Sequence, residues 1–274
     1  MTTAKLHTWL LALAFLMCSI ACSNAQSLHY VKGSVIGEAV FVTDKDGSSV
    51  SMRKLLAEQS GKVNVVFIFG GGDLGSGSPG HLWCPDSFED THILRTLVGK
   101  YEGKPVNFIA VASAPVYHSQ TLGQPARVFL DAADDSAEFK KAKDAFITST
   151  LAAQKDGILP IQPYFDLRLR LMLNPSPRMQ PGTGFGDRAD WQGAFRDEKE
   201  TQFYGVPGFW LVSDNGEILA PPFRGNVYHP HGAEVHINYT LSDVDAAIQT
   251  LLKSKLSDPA MAALKLIQLE FVSD

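Results

Sequence analysis

The chain has 274 residues, of which 45% are hydrophobic and 19% charged, with a formal net charge of −5. Those proportions belong to a soluble globular protein, and the acidic balance gives no electrostatic reason to expect a nucleic-acid partner. Only one of the three cysteines, Cys84, lies beyond residue 22, so a chain shortened at its N-terminus has no internal disulfide to form.

Lys5 and His7 precede an apolar segment, Trp9 to Ile20, and no acidic residue occurs before Glu38. This is the pattern of a secretory signal, and the segment is shorter than the roughly 20 residues of a membrane span. Two exits fit. Ser23-Asn24-Ala25 permits cleavage before Gln26, giving a signal over 1–25. Ser19-Ile20-Ala21-Cys22 resembles a lipobox, giving a signal to residue 21 and a lipid anchor at Cys22. Either route predicts an exported chain, periplasmic or secreted, with no membrane span in its mature part. Roughly 250 residues remain (26–274), enough for one domain with a sizeable core.

Ile36 to Val42 alternates loosely and predicts a strand, ending at the turn signal Asp44-Lys45-Asp46-Gly47. Ser51 to Glu58 predicts a short helix capped by Ser51, with Met52, Leu55 and Leu56 on its apolar face. Val63 to Phe69 is a run apolar but for Asn64, the signature of a central buried strand. A glycine-rich loop, Gly70 to Gly80, follows. A helix then starts at Pro85, where the missing N–H costs nothing, and presents Phe88, Ile93, Leu94 and Leu97 to a core. Val106 to Ala112 predicts a second strand and Ala137 to Ala153 a helix. Ile161 to Phe165 predicts a short strand, followed by a short helix over Leu167 to Leu173. Asn174 to Glu200 is rich in Pro, Gly and charge and reads as an irregular insert. Gly208 to Val212 and Ile218 to Pro222 flank the hairpin signal Ser213-Asp214-Asn215-Gly216. Leu241 to Leu252 predicts a helix begun by Ser242 and Asp243, and 259–272 a last one. Strands alternating with helices imply a parallel core, and the late hairpin adds an antiparallel part: an α/β mixed sheet with helices on both faces.

Trp83-Cys84-Pro85-Asp86-Ser87 places the thiol where a strand passes into a helix. Unpaired backbone N–H groups and the helix dipole there favour a thiolate and lower a cysteine pKa from about 8.5 to about 3.5–7.5. The sequence therefore predicts a reactive, low-pKa sulfur. His81, three residues earlier, offers an imidazolium partner or a base. Ser87, one helical turn on, offers a hydrogen bond to the thiolate.

The element order and two motifs resemble the thioredoxin-like superfamily. The first motif, Trp83 to Ser87, resembles the Trp-Cys-Pro-Asp-Cys of a thioredoxin-related subgroup, with Ser87 standing where the second cysteine would be. The second, Gly205-Val206-Pro207-Gly208-Phe209-Trp210-Leu211-Val212 followed by Asp214-Asn215-Gly216, resembles the family's cis-proline segment and hairpin. The spacing between them, about three times that of a minimal thioredoxin, resembles the redoxin branch of thiol-disulfide proteins and peroxiredoxins, whose extra strand and helix would be Ile161 to Leu173. The resemblance implies Cys84 as nucleophile, Pro207 in a cis bond beside it, and Trp83 as a wall of the site. The peroxiredoxin pattern itself is broken, since Gly77 and His81 occupy its Pro and Thr positions, and Val63 to Phe69 holds no acidic residue.

Without a resolving cysteine, the chemistry that fits is monothiol exchange with protein or small-molecule thiols and disulfides. A redox-inactive module that binds a peptide or a soft metal is the alternative. His229, His231 and His236 could join Cys84 as metal donors, although the reading keeps them as loop histidines and expects no cofactor and no metal. Gly70-Gly71-Gly72-Asp73-Leu74-Gly75 fits a dinucleotide-binding spacing, but no helix begins there.

Overall fold

The computed structural model describes residues 32–38, 40–73, 79–114, 128–129, 132–168, 203–204, 206–220, 223–224, 226–228, 234–236 and 239–256. The signal, the anchor at Cys22, the insert 174–200 and the helix 259–272 lie outside them, as does the expected helix Leu167 to Leu173 beyond residue 168.

Ten strands and four helices follow one another along the described chain. They are β1 (Phe41–Thr43), β2 (Ser49–Ser51), α1 (Met52–Ala57), β3 (Val63–Gly70), α2 (Pro85–Lys100), β4 (Val106–Ser113), α3 (Ala137–Lys155), β5 (Pro163–Asp166), β6 (Phe203–Tyr204), β7 (Gly208–Val212), β8 (Phe223–Arg224), β9 (Asn226–Tyr228), β10 (Glu234–His236) and α4 (Leu241–Leu256). Seven strands form one sheet in the order β2-β1-β5-β4-β3-β7-β8. β3, β4 and β5 run parallel, whereas β7 pairs antiparallel with β3 and β8 antiparallel with β7. This is a mixed α/β sheet with a parallel centre and antiparallel flanks.

Every residue of β3 is buried, which is why its sequence shows no alternation: a parallel central strand is covered on both faces. Phe67 stacks on Phe69 and on Phe209 of β7, with centroids 5.3 and 4.5 Å apart. Phe165 of β5 meets Phe146 of α3 edge-on. On the other face Asn64 donates from its side chain to the Leu56 carbonyl of α1 and accepts from Asn107, so helices cover both faces. α2 and α4 are joined by Asp245, which accepts from Lys100 at 2.6 Å and from the Tyr101 hydroxyl at 2.8 Å.

Four features differ from expectation. The Ile36–Val42 strand shrinks to β1, because Ile36 and Val40 spend their N–H groups on Gly216 and on a local turn to Gly37. Past the Ser213–Gly216 turn, the second arm is a single bridge, Val212 to Ile218, and β7 takes Phe223–Arg224 as its partner. β6, β9 and β10 make a second, three-stranded sheet that the sequence reading did not anticipate, since strands of two or three residues are too short for alternation to register. α4 also begins otherwise than expected. Thr240 Oγ1 accepts from the Asp243 N–H while Asp243 accepts from the Thr240 N–H and hydroxyl, a reciprocal cap of the capping-box kind. Replacing Thr240 by Ala is expected to cost about 1 kcal/mol, read as a lower urea midpoint with unchanged slope.

Candidate functional site

Three backbone segments converge on Cys84. The residue is the N-cap of α2, with Pro85 at the first helical position, so the site cysteine sits where the sequence places it. The cis bond joins Val206 to Pro207, and the Val206 carbonyl lies 3.7 Å from Cys84 Sγ, in line to accept from the thiol. The third segment is the end of β3. A Cβ added to Gly70 would stand 2.5 Å from Cys84 Cβ and 2.7 Å from the Trp83 ring. Only a residue without a side chain lets the strand end and the thiol-bearing turn close on each other.

Trp83 is 2% exposed and its indole N–H donates to the Ser113 carbonyl at the end of β4. It walls the site from the sheet side. Ser87 is fully buried and accepts the Gly70 N–H at 2.9 Å, so its hydroxyl proton remains to be donated elsewhere, and the sulfur is within its reach. Cys84, Ser87, Trp83 and Pro207 therefore assemble in one place. His81 does not join them. Its ring pairs with Asp156 at the end of α3, 3.0 Å away, and its backbone adopts φ 60° beside Gly80 at φ 70°. A Cβ on Gly80 would meet the Phe88 ring at 2.5 Å, so this turn fixes the approach to Trp83 and sends the His81 ring away from the sulfur.

The expected low thiol pKa is not what the geometry produces. Cys84 is 6% exposed and its side chain makes no regular capping hydrogen bond. Burial pushes the thiol up to about 11, with Asp86 adding to the rise, while Ser87 pulls it down through its hydroxyl and N–H. A helix N-terminus is worth about 0.3–1 kcal/mol to a nearby anion. Removal from water raises a buried thiol pKa by up to several units, at about 1.4 kcal/mol each. Here burial wins, and the resting sulfur is a protonated thiol.

The glycine-rich loop beside Cys84 is anchored at its near end rather than free. Gly72 bridges to Leu82, and Asp73 donates its N–H to Ser149. Among the described residues no group of three metal-binding side chains occurs, and no helix is long and apolar enough to cross a membrane. His236 lies on β10; His229 and His231 are outside the described residues.

Sequence reasoning missed a second polar pair close to the site. Tyr239 donates its hydroxyl to Asp90 of α2. Burial pushes the Asp90 carboxyl up to about 6, against the pull of Tyr239 and His92. Burial, with the neighbouring Asp90, likewise raises the Tyr239 phenol above its ordinary value. The two residues are 149 positions apart, and no local pattern joins them.

No family model matches the chain, and no curated protein matches it. Solved structures similar to it include an uncharacterized conserved protein from Geobacillus kaustophilus, at 16% identity and TM-score 0.41 over 82% of this chain and 84% of that one. A putative thiol:disulfide interchange protein DsbE from Chlorobium tepidum matches at 15% identity and TM-score 0.37, over 83% and 99%. The C-terminal domain of a putative thiol-disulfide oxidoreductase from Bacteroides thetaiotaomicron matches at 13% and 0.38, over 81% and 98%.

Two measurements follow from the geometry. Gly70→Ala is expected to cost about 1–3 kcal/mol through overpacking and to change the emission of Trp83. A variant as stable as the parent with unchanged fluorescence contradicts the close packing. Thiolate absorbance followed against pH is expected to rise with a midpoint near 11. Because the thiol pKa is raised on folding, its stabilising contribution is present below about pH 9 and fades as pH climbs toward 11. A midpoint below 8.5 contradicts the buried thiol.

Proposed function

We propose that the protein is an exported thiol-disulfide oxidoreductase that works as a monothiol through Cys84. The observation that carries this reading is the 3.7 Å approach of Cys84 Sγ to the Val206 carbonyl, which sets one sulfur at a helix start against extended backbone beside a cis-proline. Peptide backbone entering there can replace the Val206 contact and bring a disulfide to the sulfur. Its N-terminal sequence fits export. Its substrates are protein or small-molecule thiols and disulfides.

The exchange balances without another oxidant. Cys84 loses its proton to solvent or to the leaving thiolate, and its sulfur attacks one sulfur of a disulfide. The old S–S bond breaks, a Cys84 mixed disulfide forms, and the partner leaves as a thiol. A second external thiol then attacks the mixed disulfide, returns Cys84 to its thiol and carries away the new disulfide. Ser87 donates to the sulfur as negative charge develops on it, its lone pair already held by the Gly70 N–H. Trp83 and Pro207 shape the approach. Burial keeps the thiol protonated until a substrate displaces the cover, which makes the reaction depend on docking.

The discriminating test is Ser87→Cys. With catalytic geometry in place, the variant acquires a dithiol and reduces insulin-like disulfides at least tenfold faster than the parent, and Cys84→Ser abolishes the gain. A folded Ser87→Cys protein with no gain, in a chain whose parent exchanges no disulfide, moves the reading to a redox-inactive module that binds a peptide or a soft metal.

A further inference from the structure

Asp90 and Tyr239 are a half-buried polar pair that thiol exchange at Cys84 does not use. Their position gives them a task. Asp90 lies in α2, and Cys84 is the N-cap of that helix. Tyr239 belongs to the segment leading into α4. Its ring packs edge-on against Phe209 of β7, with centroids 5.9 Å apart, and tilted against Phe223 of β8 at 6.2 Å. Phe209 and Phe223 are direct cross-strand partners, and Phe209 comes two residues after Pro207. Tyr239 therefore holds the strand pair behind the cis-proline with its ring, and the site helix with its hydroxyl.

We propose that the Asp90–Tyr239 hydrogen bond is a positioning clamp that sets how tightly the Val206–Pro207 segment covers Cys84. The proposal rests on reading Cys84 as the reacting sulfur. The clamp is not what docks α4, because Lys100 and Tyr101 hold Asp245 separately. Losing the Tyr239 hydroxyl thus frees the cover without releasing the helix.

The clamp responds to pH with a definite sign. The groups whose charge reaches Asp90 are Asp86, Glu89 and His92 of α2, with Tyr239 as hydrogen-bond donor; Tyr239 in turn faces Cys84 and Asp86. Closed, the clamp holds Asp90 where burial favours the protonated carboxyl. Open, the carboxyl meets water. The closed form therefore binds the proton more tightly, and the clamp loosens as pH rises from about 4 through about 6.

The test is the reaction rate of Cys84 with methyl methanethiosulfonate, a small neutral thiol reagent, measured from pH 4 to 8. A buried thiol alone gives a logarithmic rate of unit slope, since the thiolate fraction rises tenfold per unit. The parent is expected to exceed unit slope between pH 4 and 6 and to settle to it above. Asp90→Asn keeps the acceptor without the charge, so it should hold unit slope throughout and react several-fold more slowly at pH 7.5. Tyr239→Phe should react about tenfold faster at pH 7.5, the size of one lost hydrogen bond. Asp245→Ala, which removes the acceptor that Lys100 and Tyr101 share, should leave the rate unchanged. If Tyr239→Phe and Asp90→Asn shift the rate in the same direction, or neither moves it, the clamp is wrong and the Cys84 reading stands. If Cys84 reacts in none of the proteins, the Cys84 reading itself fails.

Discussion

Everything at this site depends on how closely three backbones approach one sulfur. The end of β3, the thiol-bearing turn before α2 and the segment before β7 meet with no room for an extra carbon at Gly70. The contact exists because β3 lies between β4 and β7 in the sheet. Its parallel neighbour β4 supplies the Ser113 carbonyl that holds Trp83, and its antiparallel neighbour β7 brings Val206 and Pro207 over the sulfur. The fold thus puts a helix start and a cis-proline side by side, and a missing side chain lets them touch.

The same closeness decides the electrostatics. A helix N-terminus alone would make Cys84 an acidic thiol, but the packing that brings Val206 over the sulfur also removes water, and desolvation is the larger effect. For a chain proposed to be exported, this has a use. A lone exposed thiolate in an oxidising compartment is open to oxidation and to capture by other thiols. On the proposed function, a buried, protonated thiol is protected between encounters and reacts when a partner opens the contact. Ser87 belongs to this arrangement as a built component. Its bond to the Gly70 N–H ties the last residue of β3 to the first turn of α2.

Much of the architecture was legible in the sequence because it follows from burial. Val63 to Gly70 is apolar but for Asn64 since both its faces are covered, and Pro85 marks the start of α2 since a proline at that position loses no hydrogen bond. The motif Trp83 to Ser87 marks the turn into α2, and Gly205 to Val212 the segment that leads into β7. Distance in sequence hid the rest. Asp90 and Tyr239 carry no shared pattern, and the strands β6, β9 and β10 are too short to show periodicity. The thiol pKa was misjudged for a related reason: a sequence displays a helix start but not the chain that folds over it. His81 was misplaced because the positive φ at Gly80 and at His81 itself turns the ring toward Asp156.

The most direct measurement of the central claim is the intact mass of the folded protein carried through one exchange cycle, first with a small disulfide and then with a free thiol. The account predicts a single adduct on Cys84 that forms slowly near neutral pH, faster as pH rises, and is removed completely by the second thiol with the mass of the parent restored. A folded protein that takes up no adduct up to pH 10, or an adduct that no thiol removes, would contradict it.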